Sequence, residues 1–287
     1  MSTTDTMQLR IRHTTGYTYP EGASASLNEA RMTPMTTSDQ TLLRSRLEIS
    51  PSPWSFEFRD YWGTTVTAFE VTEEHTDLQV VATSTVETVA GSEATADRSR
   101  AAWEDLAEVA DTWCEFLMRS TWVEPPDDLV AALEPIRQAA ARPGDYVRAV
   151  GAFLHEQIAY LPGSTTVDST AAEAWAARAG VCQDFAHLMV GALRWAGIPA
   201  RYVSGYLHPS PDPRIGETVS GESHAWIEWF DGEWTGWDPT NAVAPAGRHV
   251  VVARGRDYSD NPPLRGIYAT TDTSALFVVS VEITRLR

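Results

Sequence analysis

Three side chains in this sequence have the types and the order that nucleophilic acyl chemistry requires: Cys182, His224 and Asp238. A thiol attacks a carbonyl as its thiolate, so it needs a base, and histidine serves because its ordinary pKa lies near neutrality. The histidine needs in turn an acceptor that fixes its tautomer and stabilises imidazolium, which a carboxylate supplies. Each residue also has an ordinary reading. Cysteine is among the most buried residue types and often serves as a small hydrophobe, and a histidine on a strand can simply pack. The elements around the three decide between these readings.

Cys182 lies in GVCQDFAHLMVGALRWAGIP, residues 180–199. Phe185, Ala186, Leu188, Met189, Ala192, Leu193 and Ala196 recur at helical spacing, which predicts a buried helix closed by Gly197 and Pro199. The cysteine falls in its first turn, where the positive end of the helix dipole and unpaired N–H groups favour the thiolate. HAWIEWF, residues 224–230, alternates as a strand, DG at 231–232 is a hairpin signal, and EWTGW returns as the next strand with Asp238 at its end. A turn centred on 231 and 232 pairs position 224 with 238 or 239, so His224 and Asp238 are expected as cross-strand neighbours.

Upstream, residues 8–86 carry repeated short β signals punctuated by Pro20, Pro34, Pro51, Pro53 and Gly63. They predict an N-terminal all-β domain over residues 1–90, a linker at 91–102 where apolar content drops, and a core with a C-terminal strand over 103–287. In the core, Trp103, Leu106, Ala107, Ala110, Trp113, Cys114 and Leu117 fall on one helical stripe, which places Cys114 on a buried face. Further helices are expected from Leu129 to Ala141 and from Asp145, read as an N-cap, to Ile158. Thr170 and Glu173 form a capping box for a short helix over 171–179. The fold class is α+β, with the nucleophile helix packed on an antiparallel sheet.

The chain has 287 residues, 43% of them hydrophobic and 11 of them Trp, ample for a sizeable core. A formal charge of −17 argues against nucleic acid and anionic membranes as partners, because both need a basic footprint. All 22 basic residues are Arg, so the chain offers no lysine amine as an acyl acceptor. The N-terminal stretch lacks the apolar core of a signal peptide, and no window approaches the roughly 20 apolar residues of a membrane span. The expectation is a soluble cytoplasmic protein whose two cysteines form no structural disulfide.

GVCQDFAHLMVGALRWAGIPARYVSGYL, SHAWIEWF and GWDPTN together resemble the transglutaminase-like core of the papain-like thiol enzymes. YTYPEGASASLNEARMTPMT and DYWG resemble the domain that precedes this core in bacterial transglutaminase-like proteins, a group that includes candidate cysteine proteases. The resemblance spans nearly the whole chain. It implies a papain-like, transglutaminase-like core, with Cys182 as nucleophile, His224 as general base and acid, and Asp238 as the orienting carboxylate. It also implies a peptide or amide substrate, hydrolysis or transamidation, and no cofactor. GRDYSDNPPLRGIY, residues 255–268, matches a segment of the bacterial subfamily and puts Tyr258 near the site.

An oxyanion hole needs a donor besides the Cys182 backbone N–H. Tyr160 is the candidate, and it reads equally as an ordinary loop aromatic; Trp226 is expected to pack beside the catalytic strand. Asp184, in the first helical turn, complements the dipole and reads as structural. His187 lacks a CxxC or HxxxH partner set, so no metal is expected, and no phosphate loop or dinucleotide fingerprint occurs. The competing reading is a catalytically silent binding or assembly module that keeps the fold.

Overall fold

The N-terminal β signals become β1 (Thr6–Ala23), β2 (Ala25–Ala30), β3 (Gln40–Ser50), β4 (Trp54–Arg59), β5 (Thr65–Val71) and β6 (His75–Val89) in a computed structural model that describes residues 6–89, 100–269 and 276–287. β1 pairs antiparallel with β6, and β6 with β3; β2 and β4 flank β5. Strand β6 alternates from Ala82 onward, and its Leu78, Val80 and Ala82 meet Tyr19 and Phe69 in a core between the two sheets. The short, polar β2 has little strand character of its own and forms because both of its edges are hydrogen-bonded. Most of the linker expected at 91–102 lies outside the described residues, but the backbone N–H groups of Arg100 and Ala101 donate to the carboxylate of Asp231.

The first helix of the core corrects the sequence expectation. α1 covers only Trp103–Glu108, and Cys114 opens a separate 3-10 turn, Cys114–Phe116, where it is exposed rather than buried. Aromatic packing outweighs the helical stripe here. Breaking the helix lets Trp113 and Phe116 reach Trp234, each at 5.1 Å between ring centroids, with Phe230 and Trp62 completing the cluster. α2 (Asp127–Ala139) and α3 (Pro143–Gln157) follow. Asp145 is not the N-cap of α3 but its third residue, whose carboxylate accepts the Arg142 N–H at 3.0 Å. β7 (Ala159–Tyr160), α4 (Ala171–Ala177) and β8 (Ala179–Gly180) come next, and α4 starts at the expected Thr170–Glu173 capping box. A left-handed Arg178 ends it.

α5 (Cys182–Trp195) is the centre of the core: every residue from Gln183 to Arg194 is buried. Its apolar side chains pack on α2 and α3 and on alternate residues of β9 (Ala200–Leu207) and β10 (Thr218–Phe230), including Ala200, Tyr202, Ala225, Ile227 and Trp229. The far end is anchored by Arg194, whose guanidinium donates to the carbonyls of Met118, Ala200 and Arg256. Three further strands, β11 (Trp234–Trp237), β12 (His249–Gly255) and β13 (Leu264–Ala269), precede the last, β14 (Leu276–Arg285).

Hydrogen bonding does not respect the division between an N-terminal domain and a core. One sheet runs β12-β9-β10-β14-β1-β6-β3, and β13 joins β2 in the other. β10 changes neighbours along one edge: Thr218–Gly221 pair with β14, Ile227–Phe230 with β11. Between Gly221 and Ile227 neither β14 nor β11 pairs with that edge, and His224 lies in the gap.

Gly191 lets α5 approach the 120–123 segment, because a Cβ there would land on the Val123 carbonyl oxygen, which is backbone and cannot step aside. Gly191→Ala is expected to destabilise the fold by ~1–3 kcal/mol, the usual cost of overpacking a tight core, read as a lower urea midpoint with an unchanged m-value.

Candidate active site

The start of α5 is built to hold Cys182 still. Asp184 Oδ2 accepts the Val181 N–H at 2.7 Å and the Thr165 hydroxyl at 2.7 Å, tying the loop before α4 to the helix N-terminus. Burial pushes the Asp184 carboxyl up, and these hydrogen bonds pull against it. The short parallel pair β7–β8 sets Tyr160 opposite Gly180, two residues before the cysteine. Cys182 itself is half-buried, and its backbone N–H belongs to the first turn, where no intrahelical acceptor exists.

His224 and Asp238 meet, though not through the expected register. The hairpin closes on a three-residue loop, with Phe230 opposite Trp234, so Asp238 continues the register opposite Trp226 rather than His224. The contact is therefore diagonal, and His224 Nε2 donates to Asp238 Oδ2 at 2.8 Å. Nδ1 is the ring nitrogen that Asp238 does not engage, and Cys182 is among the groups that act on the imidazole. Burial alone would depress the imidazole, but the hydrogen bonds to Asp238 and Cys182 outweigh it and raise His224 to about 10. A charged, proton-donating imidazolium beside the thiol is thus favoured at neutral pH.

Asp238 is fully enclosed, and a buried carboxylate persists only when its lone pairs are used. Oδ1 accepts the backbone N–H groups of Thr240 and Asn241 at 3.0 and 3.1 Å. Oδ2 accepts from His224, from the Asn241 amide at 2.7 Å and from His249 Nε2 at 3.1 Å. Against the upward push of burial, the bonds from His224, His249 and Asn241 hold this carboxyl well below the usual range. It stays an acceptor, and the proton stays on the imidazole.

Of the further positions singled out in the sequence, Tyr160 lines a groove of about 570 Å³ beside His224, with Leu207, Pro209, Pro211 and Arg248 on its other walls. Trp226 is buried and packs on His224 and His249, at ring distances of 6.0 and 5.3 Å. Tyr258 is not among the residues lining that groove; it opens a 3-10 turn, and its backbone N–H donates to His187 Nε2 at 3.1 Å. His187 is therefore a core histidine joining α5 to the segment after β12, and burial lowers it to about 4. Asn241 and His249 were not anticipated. Asn241 had a signal in DPTN, where an aspartate caps the N–H groups two and three residues on. His249 had none, since nothing local ties it to Asp238.

His224, Asp238 and His249 each bring one possible ligand atom within 4.8 Å of the others. A divalent cation could use them only by displacing the protons that both rings direct at Asp238, which would remove His224 as a base.

Residues 131–239 match the transglutaminase-like superfamily, and residues 9–87 the bacterial transglutaminase-like N-terminal region. An uncharacterised protein of Mycobacterium leprae is 43% identical over 281 residues, covering 97% of this chain and 99% of that protein. A protein-glutamine gamma-glutamyltransferase of Pseudomonas aeruginosa is 35% identical over 147 residues, 47% of this chain but 22% of that protein. The crystal structure of a candidate cysteine protease from Cytophaga hutchinsonii superposes with a TM-score of 0.80, covering 99% of this chain and 92% of that one, at 23% identity. The fold is that of a papain-like, transglutaminase-like core behind a β region, and the chain belongs to the transglutaminase-like superfamily.

Proposed function

We propose that this chain is a thiol-dependent acyl-transfer enzyme acting on peptide or amide bonds, with Cys182 as nucleophile, His224 as acid and base, and Asp238 as its orienting carboxylate. The observation that carries the reading is the buried His224–Asp238 pair, joined at 2.8 Å, with Cys182 at the head of α5 acting on the same imidazole. A buried ion relay of this kind costs desolvation energy, and a merely packed histidine would not require it.

In the proposed reaction the Cys182 thiolate attacks the carbonyl carbon, forming a C–S bond while the carbonyl electron pair moves to oxygen. The Cys182 backbone N–H, with Tyr160 as a candidate second donor, faces that oxyanion. Imidazolium His224 protonates the leaving amine as the C–N bond breaks, which leaves a thioester and a neutral imidazole. Water or an amine then attacks the thioester, His224 takes its proton, and the C–S bond breaks with its electron pair going to sulfur, which restores the Cys182 thiolate and the His224 imidazolium. Asp238 keeps the ring proton on Nε2 throughout, so that Nδ1 is the nitrogen that exchanges protons with sulfur and substrate. The groove beside His224 has room for a peptide side chain and is walled mainly by apolar residues.

Iodoacetamide tests the thiol directly, with exposed Cys114 as internal reference. Near pH 6 Cys182 is expected to label at least about tenfold faster than Cys114 in peptide maps, despite being the less exposed of the two. Equal slow labelling would leave a silent member of the family. Incubating an amide and peptide library with and without added amines, against a Cys182→Ala blank, separates hydrolysis from transamidation.

The raised His224 also makes a stability prediction. Its folded value of about 10 lies above the ordinary 6.5, so the stabilisation is fully present below pH 6.5 and is lost as pH rises toward 10. The urea midpoint of the unaltered protein should fall over that window more steeply than that of His224→Gln. Parallel curves would contradict the ion-paired arrangement.

A further inference from the structure

His249 shares the carboxylate oxygen that His224 uses, yet lies outside the stretch that matches the superfamily, which ends at residue 239. Its placement is specific. His249 begins β12, which pairs with β9, and β9 pairs with β10, the strand of His224. In the strand between them stands Gly205, opposite both His224 and Val251. A Cβ on Gly205 would meet the Trp226 ring at 2.7 Å. Its absence leaves room for the rings of His224, Trp226 and His249 to gather over β9, with His224 and His249 centroids 6.0 Å apart.

The hydrogen bonds also assign the ring's proton. His249 Nδ1 accepts the Ala246 N–H at 3.3 Å, while the His249 backbone N–H returns to the Ala246 carbonyl at 2.8 Å. With Nδ1 occupied as an acceptor, the proton sits on Nε2 and points at Asp238 Oδ2. The charged or titratable groups that face the ring are Asp238, His224 and Arg248. Burial disfavours its cation, and although Asp238 works the other way, His249 is held below the ordinary histidine value. A neutral donor suits this position, because a second cation against Asp238 would compete with imidazolium His224 for the same negative charge.

We propose that His249 is a positioning residue of this site: as a neutral Nε2–H donor it holds Asp238 Oδ2 in place and takes a share of its charge. Asp238 then presents one oxygen, in one orientation, to His224. Without that third donor the same charge concentrates on His224, and its imidazolium becomes harder to deprotonate. The proposal rests on the His224 and Asp238 roles given above, and it adds to them a group that never meets substrate.

Long-range proton–nitrogen NMR of the imidazole rings tests it without a known substrate. Spectra of the 15N-labelled protein, His249→Phe and His249→Gln are followed over about pH 5 to 11, a span that covers the histidine range and its raised members. In the unaltered protein His249 is expected as the neutral Nε2–H form at pH 7. His249→Phe keeps a ring against Trp226 but no donor, and should move the His224 midpoint to higher pH. His249→Gln keeps an N–H within reach of Asp238 and should bring the midpoint back toward that of the unaltered protein. A role in packing alone predicts the reverse ranking, with Phe unchanged and Gln perturbed, and that result overturns the proposal. If His249→Phe does not fold, the tautomer decides: a His249 that is cationic, or protonated on Nδ1 alone, overturns it too. Failure of the acyl-transfer reading is seen separately, as unaltered Cys182 labelling with iodoacetamide no faster than Cys114, and would leave the NMR result on Asp238 standing.

Discussion

The arrangement depends on one buried negative charge. Asp238 has no contact with solvent, and an ionised carboxylate in such a place costs several kcal/mol unless donors replace the water it has lost. Five do so, two to Oδ1 and three to Oδ2, and they come from three separate pieces of chain. The turn after β11 supplies the two backbone N–H groups and the Asn241 amide, β10 supplies His224, and β12 supplies His249. Removing any one element leaves the buried carboxylate short of a donor. The hydrogen bonds that make Asp238 tolerable are thus also the ones that aim His224.

The cysteine end is rigid for a different reason. α5 has no exposed face: packing encloses its length, Arg194 ties its last turn to three carbonyls, and Asp184 ties its first turn to the loop before α4. A fully buried helix cannot rotate or slide without opening voids, so the position of its first residue is set by the core as a whole. The thiol is held by a buried apolar helix and the imidazole by a buried ion. The two supports are joined by the packing of α5 on Ala225, Ile227 and Trp229 of β10, the strand that carries His224.

Features carried by short-range chemistry were legible in the sequence. The helix opening at Cys182, the capping box at Thr170 and Glu173, and the strand and turn around Asp231 and Gly232 all have local causes. Features decided by distant partners were not. The stripe through Cys114 has helical spacing, but Trp234 and Phe230 draw Trp113 and Phe116 out of any continuous helix. The hairpin residues were right and the register was not, because Asp231 and Glu233 close a wider loop whose Asp231 carboxylate accepts the Arg100 and Ala101 N–H groups. His249 reads as one more residue of a β-strand, because its tie to Asp238 exists only after β9 and β12 have paired.

The N-terminal β region is part of the same problem. β10 begins as a neighbour of β14, which pairs along its length with β1, so the strand that delivers His224 is continuous with the N-terminal sheet. The outer edge of β12 would otherwise present unpaired backbone groups. Gln40 covers it, accepting the Val251 N–H at 2.8 Å and donating to the Val251 carbonyl at 2.9 Å, and Met35 N–H adds a bond to the same carbonyl. The Thr88 hydroxyl donates to the Gly247 carbonyl at 2.7 Å, two residues before His249. These bonds hold the segment 247–251 from the side opposite β9, so the position of His249 depends on residues more than 150 positions earlier in the chain. The core and the β region share the sheet that carries β10 and β12, and the carboxylate paired with His224 is supported from both.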